Sequence, residues 1–182
     1  MNEVGMIIKK RRSIRDYRPD PISKEELVEI AEAGVWAPNA INEQLWHFSV
    51  VSDAKVIERM HQATVAGIMN SGVEFLMNKA KEPGYHAFHH APAVIVISAK
   101  EGKFTTFDCG AAAENIALAA AEKNIGSCIL ASVEFMFAGD KDLKQVLHVP
   151  EDYHFVCAVS LGYYEDSAVK PSDRKLEVID FI

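Results

Sequence analysis

The segment from Thr106 to Lys123 most limits how this chain can fold. Its middle, Gly110-Ala-Ala-Ala-Glu-Asn-Ile-Ala-Leu-Ala-Ala-Ala-Glu122, reads as a helix that is apolar nearly all the way round. A helix without a wet face has to be covered on several sides. Its alanines let neighbouring backbones come close, as at a helix–helix subunit contact. Just before it, Pro92–Ala99 contains the β-branched run Ala93-Val-Ile-Val-Ile-Ser98, the signature of a strand buried on both faces. A central strand beside a fully covered helix calls for further layers, and the rest of the chain supplies them.

Helical and strand periods alternate from end to end. Glu3–Lys10 reads as a short helix. Ser23 starts a second, with Glu26 three residues on as a capping box and Leu27, Ile30, Ala31 and Val35 as its apolar stripe; Gly34 and Pro38 mark its end. His47–Ser52 alternates as a strand, and Asp53 caps a helix reaching about Met69. A short helix near Val73–Lys79 lies within an excursion at about 71–90 that Gly72, Pro83 and Gly84 interrupt. Ser127–Ala131 and Phe155–Gly162 read as strands, and Lys141–Leu147 as a helix that Pro150 stops. With no repeat and no low-complexity stretch, residues 1–182 read as a single domain with a tail at about 163–182. The tail ends apolar, in Val178-Ile-Asp-Phe-Ile182, and could cover its own core or dock onto a partner subunit.

The net charge is −7, from 19 basic and 26 acidic residues, which argues against a broad phosphate-binding face for nucleic acid. No apolar run reaches the roughly 18 residues of a membrane span. Cys109, Cys128 and Cys157 are far apart and odd in number, and no CxxC pair occurs, so a reducing compartment, the cytoplasm, is expected.

Two segments carry the candidate chemistry. In Lys9-Lys10-Arg11-Arg12-Ser13-Ile14-Arg15, five of seven residues are basic. A charge run is most often a solvated patch. Arginine forks with a serine hydroxyl among them also suit the phosphate of a small ligand. The second segment, Ala37-Pro38-Asn39-Ala40-Ile41-Asn42-Glu43-Gln44-Leu45-Trp46, joins a helix to a strand. Its amides either form turns or face the edge of a planar heterocycle. Neither GxGxxG nor GxxxxGK[ST] occurs, so a Rossmann or P-loop nucleotide site is not indicated.

The string RRSIRDYRPDPISKEELVEIAEAGVWAPNAINEQLWHFSVV, residues 11–51, resembles the N-terminal signature of the nitroreductase family. Further matches follow in order: Ala91-Pro92 before an apolar strand, Gly110-Ala-Ala-Ala-Glu-Asn-Ile, Asn124-Ile-Gly-Ser127, and Leu161-Gly162-Tyr163 before a basic tail. The resemblance covers nearly the whole chain. It implies an α+β fold: a central, mainly antiparallel sheet flanked by helices, in an intertwined homodimer with FMN at the interface. It also implies FMN-dependent transfer of hydride from NADH or NADPH to a nitroaromatic, quinone or similar electron-poor acceptor by a ping-pong mechanism. Arg11, Arg12 and Ser13 match the positions that hold the phosphate and ribityl chain. Arg15 matches the basic position near the flavin pyrimidine ring. Pro38, Asn39, Asn42 and Gln44 lie on the loop that approaches FMN, usually from the other subunit. Ser127 matches a backbone segment near the flavin. Arg174 matches a tail residue that completes the phosphate site, with Lys170 or Lys175 beside it. The sequence departs from the family pattern at Asn39, where serine is common, and at Leu45, where proline is usual. Relatives with the same fold catalyse dehalogenation or flavin breakdown, and a non-enzymatic flavin-binding module is a third reading.

No side chain is needed as a general acid, since the flavin carries the chemistry. No metal site is expected. His86, His89 and His90 cluster without a cysteine or well-placed carboxylate in sequence, which suits a surface loop or pocket lining better than a metal. Cys109 lacks a visible base and reads as packing. Glu114 and Asn115, polar islands in an apolar helix, read as hydrogen-bonded or interface groups.

Overall fold

The computed structural model describes residues 2–165 and 173–182. The elements are α1 (Glu3–Lys10), α2 (Lys24–Val35), a 3-10 turn (Ala40–Asn42), β1 (Trp46–Val51), α3 (Ala54–Met69), α4 (Glu74–Ala80), β2 (Ala93–Lys100), α5 (Thr105–Glu122), β3 (Gly126–Leu130), α6 (Met136–Gly139), α7 (Leu143–Val146) and β4 (Tyr153–Gly162). The four strands form one antiparallel sheet in the order β1-β2-β4-β3.

β2 runs through the middle of this sheet because both of its faces are apolar. Ala93, Ile95, Ile97 and Ala99 point to one side, against Leu27 and Ile30 of α2 and Cys109, Ala113, Ile116 and Ala120 of α5. Val94 and Val96 point to the other, against Ile57, Met60 and Ala63 of α3, Met136 of α6, Leu143 of α7 and Phe88. A residue shift between Ile97 and Ser98 bulges the β2–β4 pairing near its end. The architecture is α+β, an antiparallel sheet with helices on both faces.

Local sequence chemistry sets the helix starts. Ser23 accepts from the Glu26 N–H and Glu26 reaches back to the Ser23 N–H, completing the expected box. Asp53 accepts from the N–H groups of Lys55 and Val56 at the head of α3. Tertiary packing moved some ends. α2 ends at Val35, one residue past Gly34, but Val35 is exposed rather than part of the buried stripe. A β-carbon on Gly34 would stand 2.9 Å from Ile116 Cδ1, so the glycine lets α2 close onto α5. Expected helix Lys141–Leu147 shortens to Leu143–Val146, and α6 had no expected counterpart. α6 packs flush on α3: a β-carbon on Gly139 would fall 1.9 Å from the Ala63 carbonyl oxygen.

α5 is not covered all round within one chain. Cys109, Ala112, Ala113, Ile116, Ala117, Ala120 and Ala121 are buried, but Phe107 is 77% exposed and Ala111, Glu114 and Leu118 on the same stripe are only partly covered. α1 buries no residue, and the tail exposes Leu176, Val178, Ile179, Phe181 and Ile182. No helix among the described residues is long and apolar enough to cross a membrane.

Candidate functional site

The basic segment is held by backbone. After α1 the chain turns and runs beside β3, where Ser13 and Ser127 form a parallel bridge. Ile14 is buried, and its N–H donates to the Ser127 carbonyl at 2.9 Å. Tyr17 pins the next residues: its hydroxyl donates to the Ile14 carbonyl at 2.7 Å and lies 2.9 Å from Ser160 Oγ. Burial raises the Tyr17 pKa, so this phenol stays protonated. Gly126 permits the close approach, since a β-carbon there would lie 2.9 Å from Ile14 Cγ1 and 2.8 Å from Tyr164 Cδ1.

The basic side chains divide their tasks. Lys10 Nζ donates to Asn124 Oδ1. Arg12 Nη1 donates to the carbonyls of Lys9 and Arg11, both at 2.6 Å, satisfying the end of α1. Its Nε is buried without a partner among the described residues. Arg11 Nε lies 3.2 Å from Glu114 Oε1 on α5. Arg15 Nη1 donates to the Ser13 carbonyl at 3.4 Å. Beneath them, burial raises the Cys128 thiol pKa, while Arg15, a Ser13 hydrogen bond and Arg11 pull it the other way. Arg11, Ser13 and Arg15 therefore gather around Cys128 at one end of the sheet, with Ser127 bridged to Ser13 and Arg12 turned back onto the end of α1.

The amide loop forms a second, separate group. Ile41, Asn42 and Gln44 all have left-handed backbone, with φ of 46°, 59° and 50°. Such a run of non-glycine residues is strained and is characteristic of functional loops. It is braced from within: Asn39 Oδ1 accepts from the Gln44 N–H at 2.9 Å, and Gln44 Nε2 donates to Asn42 Oδ1 at 3.2 Å. The Ala40 N–H donates to Asp108 at 3.2 Å. Pro38, Asn39 and Ala40 line a cleft of about 240 Å³ with Phe104, Phe107 and Asp108.

Both groups lean on α5, one at Asp108 and the other at Glu114. Six helical residues separate them by about 9 Å of rise and about a third of a turn. The cleft at the amide loop is lined by no residue of the basic segment. Arg174 and Lys175 are exposed in the tail, joined to neither group, and Lys170 lies outside the described residues.

The histidine cluster runs from the core to the surface, with His86 buried, His89 half-buried and His90 exposed. His86 is buried, stacked on His61 at 4.2 Å between centroids and 4.3 Å from His90. Its Nδ1 accepts from the N–H groups of Phe88 and His90, which places the proton on Nε2, 3.8 Å from a Glu58 oxygen. Burial, with the neighbouring histidines, pushes its pKa down to about 4. Among the described residues, no three His, Cys, Asp or Glu side chains are arranged to hold a metal. Half-buried His89 is also shifted down, first by burial and then by Arg15, which puts the end of the excursion beside the basic segment. The three cysteines are buried and unpaired, with burial raising Cys109 to about 11 and Cys157 to about 12.

Two contacts were not foreseen from sequence: Glu114, read only as a hydrogen-bonded or interface group, is the counter-ion to Arg11, and Gly126 leaves the gap that Ile14 fills. Polarity inside an apolar helix flagged Glu114; nothing local flagged Gly126.

A sequence model of the nitroreductase family matches residues 8–163. An Archaeoglobus fulgidus protein whose name pairs NADH dehydrogenase with NAD(P)H nitroreductase is 36% identical over 173 residues, spanning 91% of this chain and 88% of that one. A Bacteroides fragilis nitroreductase crystallised with bound FMN superimposes with a TM-score of 0.92 at 29% identity, over 100% of both chains. An iodotyrosine deiodinase of Thermotoga neapolitana is 24% identical over 181 residues, spanning 95% of this chain and 94% of that one. With a family match over most of its length and a fold that superimposes throughout, the chain belongs to the nitroreductase family.

Proposed function

We propose that the protein is an NAD(P)H-dependent FMN oxidoreductase, passing hydride from NADH or NADPH to nitroaromatic, quinone or similar electron-poor acceptors in two successive half-reactions. The observation that carries this reading is a segment of three arginines and a serine, Arg11, Arg12, Ser13 and Arg15, fixed to the sheet at the Ser13–Ser127 bridge. They have a single ion-pairing carboxylate among the described residues and a buried, unpartnered Arg12 Nε. That donor set fits a phosphate dianion, which arginine forks and a serine hydroxyl recognise. FMN bound there supplies a reversible hydride store. Arg11, Arg12 and Ser13 hold the phosphate and ribityl chain. The Ser127 backbone borders the ring system. Arg15 places a fixed positive charge beside the pyrimidine edge and favours the reduced, anionic form.

The other half of the site comes from a second copy of the chain. Pro38, Asn39, Asn42 and Gln44 stand away from the basic segment on another side of α5, so a homodimer packed on α5 lets each subunit complete its partner's pocket. Exposed Phe107, the uncovered face of α1 and the apolar tail supply the surface for it. Arg174 or Lys175 would reach the phosphate from that tail. Unpaired cysteines suit the cytoplasm.

Anaerobic titration of the purified protein tests the reading. A visible flavin band that NADH or NADPH bleaches, and that a nitroaromatic or quinone restores, is the expected result. Absence of a flavin band after adding FMN would overturn it. The likeness to a deiodinase supports a second reading, reductive dehalogenation on the same cofactor. Iodide release from an iodotyrosine by the reduced protein, with no nitroaromatic turnover, would favour it.

A further inference from the structure

We propose that Glu114 is a positioning residue that presents Arg11 to the cofactor phosphate, an inference that rests on the phosphate role of Arg11 given above. Glu114 stands in the long, alanine-rich helix α5, on the partly open stripe with Ala111 and Leu118. Its side chain is 44% exposed, and that of Arg11 only 20%. The carboxylate is not there for solubility alone, because it reaches the guanidinium at 3.2 Å.

The manner of contact matters. Arg11 Nε lies 3.2 Å from one oxygen, Glu114 Oε1, as an ion pair rather than an aligned hydrogen bond, and among the described residues the Arg11 guanidinium makes no hydrogen bond. A carboxylate beside Nε draws the guanidinium toward α5 and leaves its two terminal nitrogens as a fork, the edge that matches two phosphate oxygens. Without the carboxylate, a long side chain with many rotamers would have to find that orientation on binding, at an entropic cost.

The neighbouring cations are anchored differently. Arg12 Nη1 donates to the main-chain carbonyls of Lys9 and Arg11, which leaves its Nε, and Lys10 donates to Asn124. Arg11 is the arginine of this segment whose guanidinium is aimed by a side chain from another element. One carboxylate among Arg11, Arg12 and Arg15 leaves the cluster positive, so Glu114 orients without neutralising the site.

Binding of FMN and of riboflavin, which lacks the phosphate, separates this from a structural role. Flavin-stripped wild type, Glu114→Ala and Glu114→Gln are titrated with each flavin by fluorescence quenching, and folding is checked by thermal melting. Wild type should prefer FMN. Glu114→Ala should lose about tenfold in FMN affinity with riboflavin affinity held within about twofold, and Glu114→Gln, which keeps an acceptor oxygen, should fall between. An unchanged FMN-to-riboflavin ratio in both variants, or tighter FMN binding by either, would overturn the proposal. If wild type shows no preference for FMN, the phosphate assignment of Arg11 fails instead, and this inference with it.

Discussion

The N–H of Ile14 donates to the carbonyl of Ser127 at 2.9 Å, so the cationic segment is tied to the edge strand of the sheet through main chain rather than through its charges. The arginines can therefore be changed without dismantling their support, and the support can be disturbed without touching an arginine.

Gly126→Ala does the second. Its β-carbon would press on Ile14 and Tyr164, neither at the loose end of a flexible chain. A loss of about 1–3 kcal/mol in stability is expected from overpacking. Weaker FMN retention should accompany it, because Ile14 carries Ser13 and Arg15 with it. Chemical denaturation and flavin content of the purified variant check both.

Arg12→Lys does the first. A lysine keeps the charge but cannot cap two carbonyls while presenting a further N–H from the same planar group. FMN affinity should fall about tenfold or more, with the melting temperature of the flavin-free protein changed little. Equal FMN affinity in the two proteins would count against a phosphate near Arg12.

Gly139→Ala tests packing far from the proposed site. The new carbon would sit 1.9 Å from the Ala63 carbonyl oxygen, which is backbone and cannot swing aside. Separation of α6 from α3 should cost about 3 kcal/mol. The ratio of FMN to riboflavin affinity should stay at the wild-type value in whatever fraction folds, as titration of soluble protein would show.

His86 should make the protein acid-sensitive. Its folded pKa is about 4, below the ordinary value of 6.5, so between these pH values the unfolded chain binds a proton that the folded chain refuses. Stability is thus insensitive to His86 above about pH 6.5 and falls as pH drops toward 4, by up to about 3 kcal/mol for this group alone. His61 and His89 are shifted in the same direction and add to the slope. His86→Asn, which retains an acceptor for the Phe88 and His90 N–H groups but does not titrate, should flatten that part of the curve. Urea midpoints measured from pH 7 to pH 4 would show it.

Much of the framework was legible because it depends on neighbours in sequence. Ser23 with Glu26 and Asp53 with the next turn satisfy N–H groups two or three residues away. The doubly apolar run of β2 announced a central strand because side chains alternate across a sheet. The Arg11–Arg15 segment and the amides of Asn39, Asn42 and Gln44 stood out by composition alone. The interruption of the expected helix at Lys141–Leu147, with α6 added before it, was not legible, because close contact of Gly139 with Ala63 decides where that chain turns.

The sequence by itself determined the elements, their caps and the two chemically loaded segments, since each follows from residue preferences acting over a few positions. Only the tertiary structure decided how those segments stand to each other. Arg11 meets Glu114 and Ala40 meets Asp108 because two distant stretches of chain fold onto different sides of one helix. His86 becomes a buried, neutral imidazole because the core closes over it and His61 arrives from α3 to stack on it. Such pairings depend on the angle and depth at which elements pack, quantities that belong to the whole core and to no single stretch of chain.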